Sequence, residues 1–221
     1  MKICTDSLLF GAMVPIRAGD SVLDIGTGSG VLALMAAQKG ARRITAVEIC
    51  GKTCEEADDN FNRSPWASRL QALNQDIQTF AQVAAGGYDL IISNPPFFEQ
   101  HLKSIDAAKR QVRHTDSLSF AELIAAAAKL LAAHGLFYVL LPVHAVSQFV
   151  SLAAVAGLRL KRRTDFRGFA DKPAKVSALT FSRIAGNPET AMLTVYASEG
   201  VYTQESAGYL QPFLLRFAKV E

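Results

Sequence analysis

Short apolar runs of strand length alternate with helical patterns through the first 156 residues. Ser21–Ile25 (SVLDI) reads as a strand, Val31–Lys39 as a helix, Ile44–Glu48 as a second strand and 51–63 as a second helix. Residues 70–74 form a weaker third strand, and Tyr88–Ser93 a fourth. Phe120–Ala133 is an alanine- and leucine-rich helix, Gly135–Leu141 a fifth strand closed by Pro142, and 144–156 a further helix. This β-α-β-α order predicts a parallel sheet with helices on both faces. Strands covered on both sides are apolar throughout rather than alternating, as the fourth and fifth are. After Gly157 the pattern changes. Residues 158–164 and 176–183 read as strands with no helix between them, joined by a 165–175 connection that carries Gly168 and Pro173. They predict a strand pair that ends the sheet, one member antiparallel, and 191–196 adds a further strand. No internal repeat, low-complexity tract or linker interrupts the chain, so 1–221 reads as one α/β, doubly wound, Rossmann-like domain.

Half of the 221 residues are hydrophobic and 19% are charged, enough apolar material for a substantial core and too much for general disorder. Net charge is +3, unevenly spread: −3 over residues 1–100 and +6 over 101–221, a weak pointer to an anionic partner of the second half. The three cysteines, Cys4, Cys50 and Cys54, are too few and odd in number for a disulfide framework. Two thiols near one another do not complete a zinc shell, and the four histidines are scattered, so no metal is expected. No apolar run approaches the ~20 residues of a membrane span. Residues 8–14 faintly imitate a signal peptide, but Asp6 and Pro15 interrupt it and no small-x-small cleavage site follows. The expected location is the cytoplasm.

Two motifs stand at strand ends. Asp24-Ile-Gly26-Thr27-Gly28-Ser-Gly30 joins the first strand to the first helix. Its glycines permit positive φ and close backbone approach, and the helix start supplies free N–H groups. In a doubly wound sheet this loop borders the switch point where ligands bind. The dinucleotide fingerprint G-x-G-x-x-G is not met, because the third glycine comes one residue early and Val31 takes its place. Asp24 favours a ligand with a cationic ammonium or sulfonium, which turns the reading from NAD to S-adenosylmethionine. Glu48, 18 residues beyond Gly30, ends the second strand and can accept from both ribose hydroxyls. Asp76, after the third strand, can accept from an adenine amine. Either acid alone is better explained by a cap or a surface charge; in series they form a cofactor track.

The second motif is Ser93-Asn94-Pro95-Pro96-Phe97-Phe98. Two prolines cannot continue a central strand, because neither has an N–H for the ladder. The strand therefore stops abruptly, with an amide and two aromatic rings at its exit. The Asn94 side-chain oxygen and the Pro95 carbonyl are two acceptors that can hold the two hydrogens of one NH2 group. The nitrogen lone pair then turns out of conjugation and toward a methyl donor, while Phe97 offers a flat face to a planar ring. Such positioning supplies much of a barrier reduction. The plain alternative is a strand terminator with two aromatics filling a core gap.

D-I-G-T-G-S-G together with N-P-P-F resembles the class I S-adenosylmethionine-dependent methyltransferases that act on exocyclic amines, among them adenine-N6, guanine-N2 and protein-glutamine enzymes. Met1-Lys-Ile-Cys-Thr5-Asp6-Ser-Leu-Leu-Phe-Gly11 is similar to the K-x-x-T-D-x-x-L-L-G opening of the bacterial tRNA1(Val) adenine N6-methyltransferase family. Arg113-His-x-x-x-Leu118-Ser-Phe120, the basic 161–175 stretch and the Tyr- and Leu-rich 202–217 segment resemble it too. The chain starts almost at its T-D segment, where that family usually carries a short stretch ahead of it. The resemblance implies a sheet of about seven strands with the last antiparallel, and methylation of the adenine just 3′ of the anticodon. It also implies S-adenosylmethionine as cofactor, with Thr5 in one wall of its pocket and Asn94 among the residues that bind it.

Lys103, Lys109, Arg110, Arg113 and His114 follow N-P-P-F-F closely, and Phe97, Phe98, Lys103, Arg110 and Arg113 are the expected substrate contacts. A second basic cluster, Lys161, Arg162, Arg163, Arg167, Lys172 and Lys175, is interleaved with Phe166 and Phe169. Basic groups contact phosphates and aromatics stack splayed bases, although charge runs are commonly just solvated faces. The expectation is a monomer acting on tRNA, with no membrane partner. Two alternatives remain: an rRNA guanine-N2 or protein-glutamine methyltransferase, and a binding module that keeps the fold without chemistry.

Overall fold

A computed structural model describes residues 4–95 and 118–217. Its main sheet contains β1 (Ser21–Ile25), β2 (Arg43–Glu48), β3 (Leu70–Asn74), β4 (Tyr88–Ser93), β5 (Leu131–Pro142), β6 (Arg159–Arg167), β7 (Ala174–Ser182) and β8 (Glu189–Thr194). Their order across the sheet is β3-β2-β1-β4-β5-β7-β6-β8. β7 runs antiparallel to both of its neighbours, whereas the other pairings are parallel. Among the described residues the sheet thus has eight strands where about seven were expected. The eighth is β8, which adds to the outer edge of β6 in the region read from sequence as 191–196. A two-stranded hairpin, β9 (Tyr196–Ser198) with β10 (Val201–Tyr202), follows it.

The helices are α1 (Thr5–Ala12), α2 (Val31–Gln38), α3 (Gly51–Asn62), α4 (Ile77–Val83), α5 (Phe120–Leu130), α6 (Val146–Val155) and α7 (Gln204–Leu210). Alternate strand residues divide between two cores, as the period of two requires. Val22, Ile44, Ala46, Leu90, Ile92, Tyr138 and Leu140 face one side, with Phe10 of α1, Leu32 and Ala36 of α2, Phe61 of α3 and Leu210 of α7. Leu23, Val47, Ile91, Phe137, Val139 and Leu141 face the other, with Ile77 and Phe80 of α4, Leu123 and Ala127 of α5, and Phe149 of α6. Covering both faces is why these strands read as unbroken apolar runs.

Several elements depart from the expectations. The alanine-rich helix ends at Leu130 rather than Ala133, because Leu131 pairs with Tyr88 and the Gly87 N–H donates to the Leu130 carbonyl. Pairing to β4 overrides the helix propensity of Ala132 and Ala133. β6 and β7 extend into the expected connection as far as Arg167 and back from Ala174, which leaves a turn over 168–173. Helices α1, α4 and α7 were not foreseen. α4 is capped by Asp76, whose Oδ1 accepts the Thr79 amide hydrogen at 2.7 Å, and α7 by Thr203. α1 is pinned by Phe10, fully buried and stacked on Tyr138 with ring centroids 4.2 Å apart.

Candidate active site

The strand order reverses between β1 and β4: from β1 the chain steps outward to β2 and β3, then returns to β4 on the opposite side. That is the switch point at which α/β sheets bind ligands, outside the carboxyl ends of the strands. The register brings both sequence motifs there. Ile25 pairs with Val47 and with Ser93, and Glu48 pairs with Asn74. The Ser93 hydroxyl donates to the Ile25 carbonyl at 2.9 Å. Gly26 and Asn94 therefore leave neighbouring strands at the same level.

In the loop, Gly26, Gly28 and Gly30 have φ of 71°, 58° and 85°. These left-handed values are why the chain carries glycine there. A Cβ on Gly30 would collide with the Phe61 ring, so the third glycine also lets α2 start close against α3. Asp24 is fully buried beneath the loop. Its Oδ2 accepts the Thr27 hydroxyl at 2.6 Å, and its Oδ1 has no hydrogen-bond partner among the described residues. Burial raises its pKa to about 7; the Thr27 hydroxyl pulls it down, and the Glu48 carboxylate adds to the rise.

Glu48 Oε2 accepts the Gly28 amide at 2.9 Å and Oε1 the Cys50 amide at 3.0 Å. Two backbone donors fix the carboxylate plane and leave each oxygen a further lone pair. Asn74 Nδ2 donates to the Glu48 and Ile49 carbonyls, fastening the turn beyond β2. Asp76 is the N-cap of α4. The Thr79 amide, above all, and the Thr79 side chain hold its carboxyl below the usual carboxylate range.

Asn94 lies at the carboxyl end of β4, half-buried, and its Nδ2 donates to the Ser7 hydroxyl of α1 at 2.8 Å. Nothing in the sequence motifs singled out Ser7. Thr5, two residues earlier, is hydrogen-bonded through Oγ1 to the Tyr196 hydroxyl of the β9–β10 hairpin at 3.1 Å. Tyr196 stacks on Tyr202 and lies against Phe169 in the β6–β7 turn. Asp6, beside them, is pushed up by burial, and the Lys175 charge draws it back. So the first turn of α1, the 168–173 turn and the C-terminal hairpin meet at the strand end that carries Asn94.

The structure brings Thr5, Asp24, Gly26, Thr27, Gly28, Gly30, Glu48, Asp76, Asn94 and Pro95 to the carboxyl edge of β1–β4 or the first turn of α1, Asp24 beneath rather than on its surface. Phe97, Phe98, Lys103, Arg110 and Arg113 lie outside the described residues. In the second basic cluster much of the charge is internally matched. Arg163 forms a bidentate pair with Asp165 at 2.7 and 2.9 Å, Arg162 is 4.0 Å from Glu189, and Lys172 is 3.1 Å from Asp171. Among the described residues no group of three or more His, Cys, Asp and Glu could hold a metal ion, and no helix is long and apolar enough to cross a membrane.

The fold and the strand-end chemistry define an S-adenosylmethionine-dependent methyltransferase of class I, and the family profile described as Methyltransferase small domain matches residues 3–155. Relatives named tRNA1(Val) (adenine(37)-N6)-methyltransferase share 38% identity in Tolumonas auensis, over 99% of this chain and 92% of theirs, and 37% in Yersinia enterocolitica, over 98% and 87%. The chain belongs to that family. Solved structures agree on the fold. A predicted O-methyltransferase of Agrobacterium tumefaciens superposes with a TM-score of 0.71 at 14% identity, covering 93% of this chain and 95% of that one. A ribosomal protein L11 methylase of Lactobacillus delbrueckii superposes with 0.57 at 19% identity, covering 82% and 79%.

Proposed function

We propose that this chain transfers a methyl group from S-adenosylmethionine to the exocyclic N6 amine of an adenine in tRNA, the anticodon-loop adenine 37 of tRNA1(Val). The observation that carries this reading is the pairing of Ile25 with Ser93, which sets the acceptors Asn94 and Pro95 beside the Asp24–Gly30 loop. Residues of that loop fit the cofactor. Asp24 holds a buried oxygen with no partner among the described residues, and a cationic ammonium or sulfonium would satisfy it. The Glu48 carboxylate, held by the Gly28 and Cys50 amides, accepts the ribose hydroxyls, and the Asp76 carboxylate accepts the adenine amine. Thr27 keeps Asp24 in place, and Thr5 closes the pocket wall from α1.

S-adenosylmethionine supplies the methyl group as an electrophile activated by its sulfonium. Asn94 Oδ1 and the Pro95 carbonyl accept the two N6 hydrogens, which draws the nitrogen lone pair out of conjugation with the ring and aims it at the methyl donor. Two acceptors on a rigid strand end lower the cost of orienting the amine. Both are acceptors rather than bases, so the extra proton leaves the nitrogen for water after alkylation. Phe97 stacks the planar base, and Phe98 is a second aromatic contact for the substrate. Lys103, Arg110 and Arg113 hold the flanking phosphates, and a loop base costs least to unstack. The enzyme is a cytoplasmic monomer, and one domain carries the whole activity.

The test is methyl transfer from labelled cofactor into unmodified tRNA1(Val), rRNA and cell protein, followed by digestion. Label recovered as N6-methyladenosine at position 37 is the expected result. Label in rRNA guanosine or in protein glutamine would favour the second reading of the N-P-P-F motif.

A further inference from the structure

We infer that Ser7 is a positioning residue for Asn94: its hydroxyl holds the amide nitrogen and thereby presents Oδ1, not Nδ2, to the substrate amine. The inference rests on the reaction proposed above but concerns a residue outside both strand-end motifs. Ser7 Oγ lies 2.8 Å from Asn94 Nδ2, across 87 positions of sequence. An asparagine amide is close to symmetric in shape, and rotating it by half a turn exchanges oxygen and nitrogen at little steric cost. The reaction distinguishes the two. An N–H aimed at the substrate would face another N–H and repel the group it has to hold.

The surroundings hold Ser7 in place. Ser7 Oγ is also 3.1 Å from Cys4 Sγ. Either atom can donate in that pair; with the Ser7 proton directed to the sulfur, the hydroxyl oxygen is left to accept from Asn94 Nδ2. Phe10, on the same helix, is fully buried and stacked on Tyr138 of β5, the strand next to β4, and Thr5 is tied to Tyr196. Ser7 is therefore carried by a turn anchored on both sides, and its oxygen is a fixed point for a side chain at the mouth of β4.

The experiment is methyl transfer to unmodified tRNA1(Val) by wild type, Ser7→Ala, Ser7→Thr, Asn94→Ala and the Ser7→Ala/Asn94→Ala double variant. Cofactor affinity and thermal midpoint are measured on each. Ser7→Ala is expected to lower kcat about tenfold, the effect of losing one orienting hydrogen bond, with the KM for cofactor within about twofold. Ser7→Thr keeps the hydroxyl and is expected to recover most of the rate. In the Asn94→Ala background, removing the Ser7 hydroxyl is expected to cost nothing further, which a merely structural role would not produce. Equal losses in the two backgrounds, or a Ser7→Ala rate within twofold of wild type, would overturn the inference and leave the proposed reaction standing. A wild-type enzyme that methylates no adenine would overturn both.

Discussion

Glu48 Oε2 accepts the Gly28 amide hydrogen at 2.9 Å, tying the end of β2 to the loop that leaves β1. With the Cys50 amide on Oε1, two backbone donors fix the plane of the carboxylate that the proposed function assigns to the ribose hydroxyls. Glu48→Ala is expected to weaken S-adenosylmethionine and S-adenosylhomocysteine about 10- to 100-fold, the loss of one or two charge-assisted hydrogen bonds. Calorimetric titration of both ligands measures it. An unchanged affinity would remove Glu48 from the site.

Asp24 gives folding a pH dependence. Its folded pKa of about 7 lies above the ordinary 3.8, so the folded state binds the proton more tightly than the unfolded chain. Its favourable contribution is complete below pH 3.8 and is lost as pH rises toward 7, with no change beyond. Denaturant unfolding of the ligand-free protein should lose on the order of 2 kcal/mol between pH 5.5 and 8 from this group. In Asp24→Asn that part of the slope should vanish, whatever the variant's absolute stability.

Gly30 serves packing as well as the ligand loop. Gly30→Ala places a side chain at φ 85° and into the Phe61 ring. The expected cost is about 2–4 kcal/mol from left-handed strain and overpacking together. Gly26→Ala, with the same sign of φ but open space around the added carbon, is expected to cost about 1–2 kcal/mol. Chemical denaturation of the two variants separates strain from collision.

Asp76 has two jobs that substitution can divide. Asp76→Ser keeps a side-chain acceptor for the Thr79 amide but is too short to reach beyond it, whereas Asp76→Ala removes both functions. Both are expected to weaken S-adenosylmethionine, and only the alanine to cost the additional ~1 kcal/mol of a lost cap. Two equally weakened but equally stable proteins would contradict the capping account.

Much of this was legible because burial on both faces leaves its mark on a strand. β1, β3 and β4 were bounded from sequence to the residue, since Ser21–Ile25, Leu70–Asn74 and Tyr88–Ser93 stand between clear breakers or helical patterns. The loop glycines and Asn94 were legible for a related reason: strand ends are where a motif can be read against the pattern that precedes it. α1 was obscured because Leu8 to Val14 is apolar without a clear period, and three of its sides meet protein: α2, α7 and the sheet. α4 carries a fair signal, Asp76 before Ile77, Phe80 and Ala81, but it is only seven residues long. Ser7 could not be read at all. Its contact with Asn94 is created by the packing of α1 over β5, and no local pattern encodes that. The second basic cluster carries acids of its own, and only the fold shows which cations they meet: Arg163 pairs with Asp165 and Lys172 with Asp171.

The central claim is that the end of β4 orients an adenine amine through Asn94 and the Pro95 carbonyl. Its most direct test is the single-turnover rate of methyl transfer by Asn94→Ala to unmodified tRNA1(Val), with cofactor affinity measured alongside. The account predicts a rate lower by about 100- to 1000-fold at nearly unchanged affinity for S-adenosylmethionine. Methylation of adenine N6 by Asn94→Ala at close to the wild-type rate would contradict it.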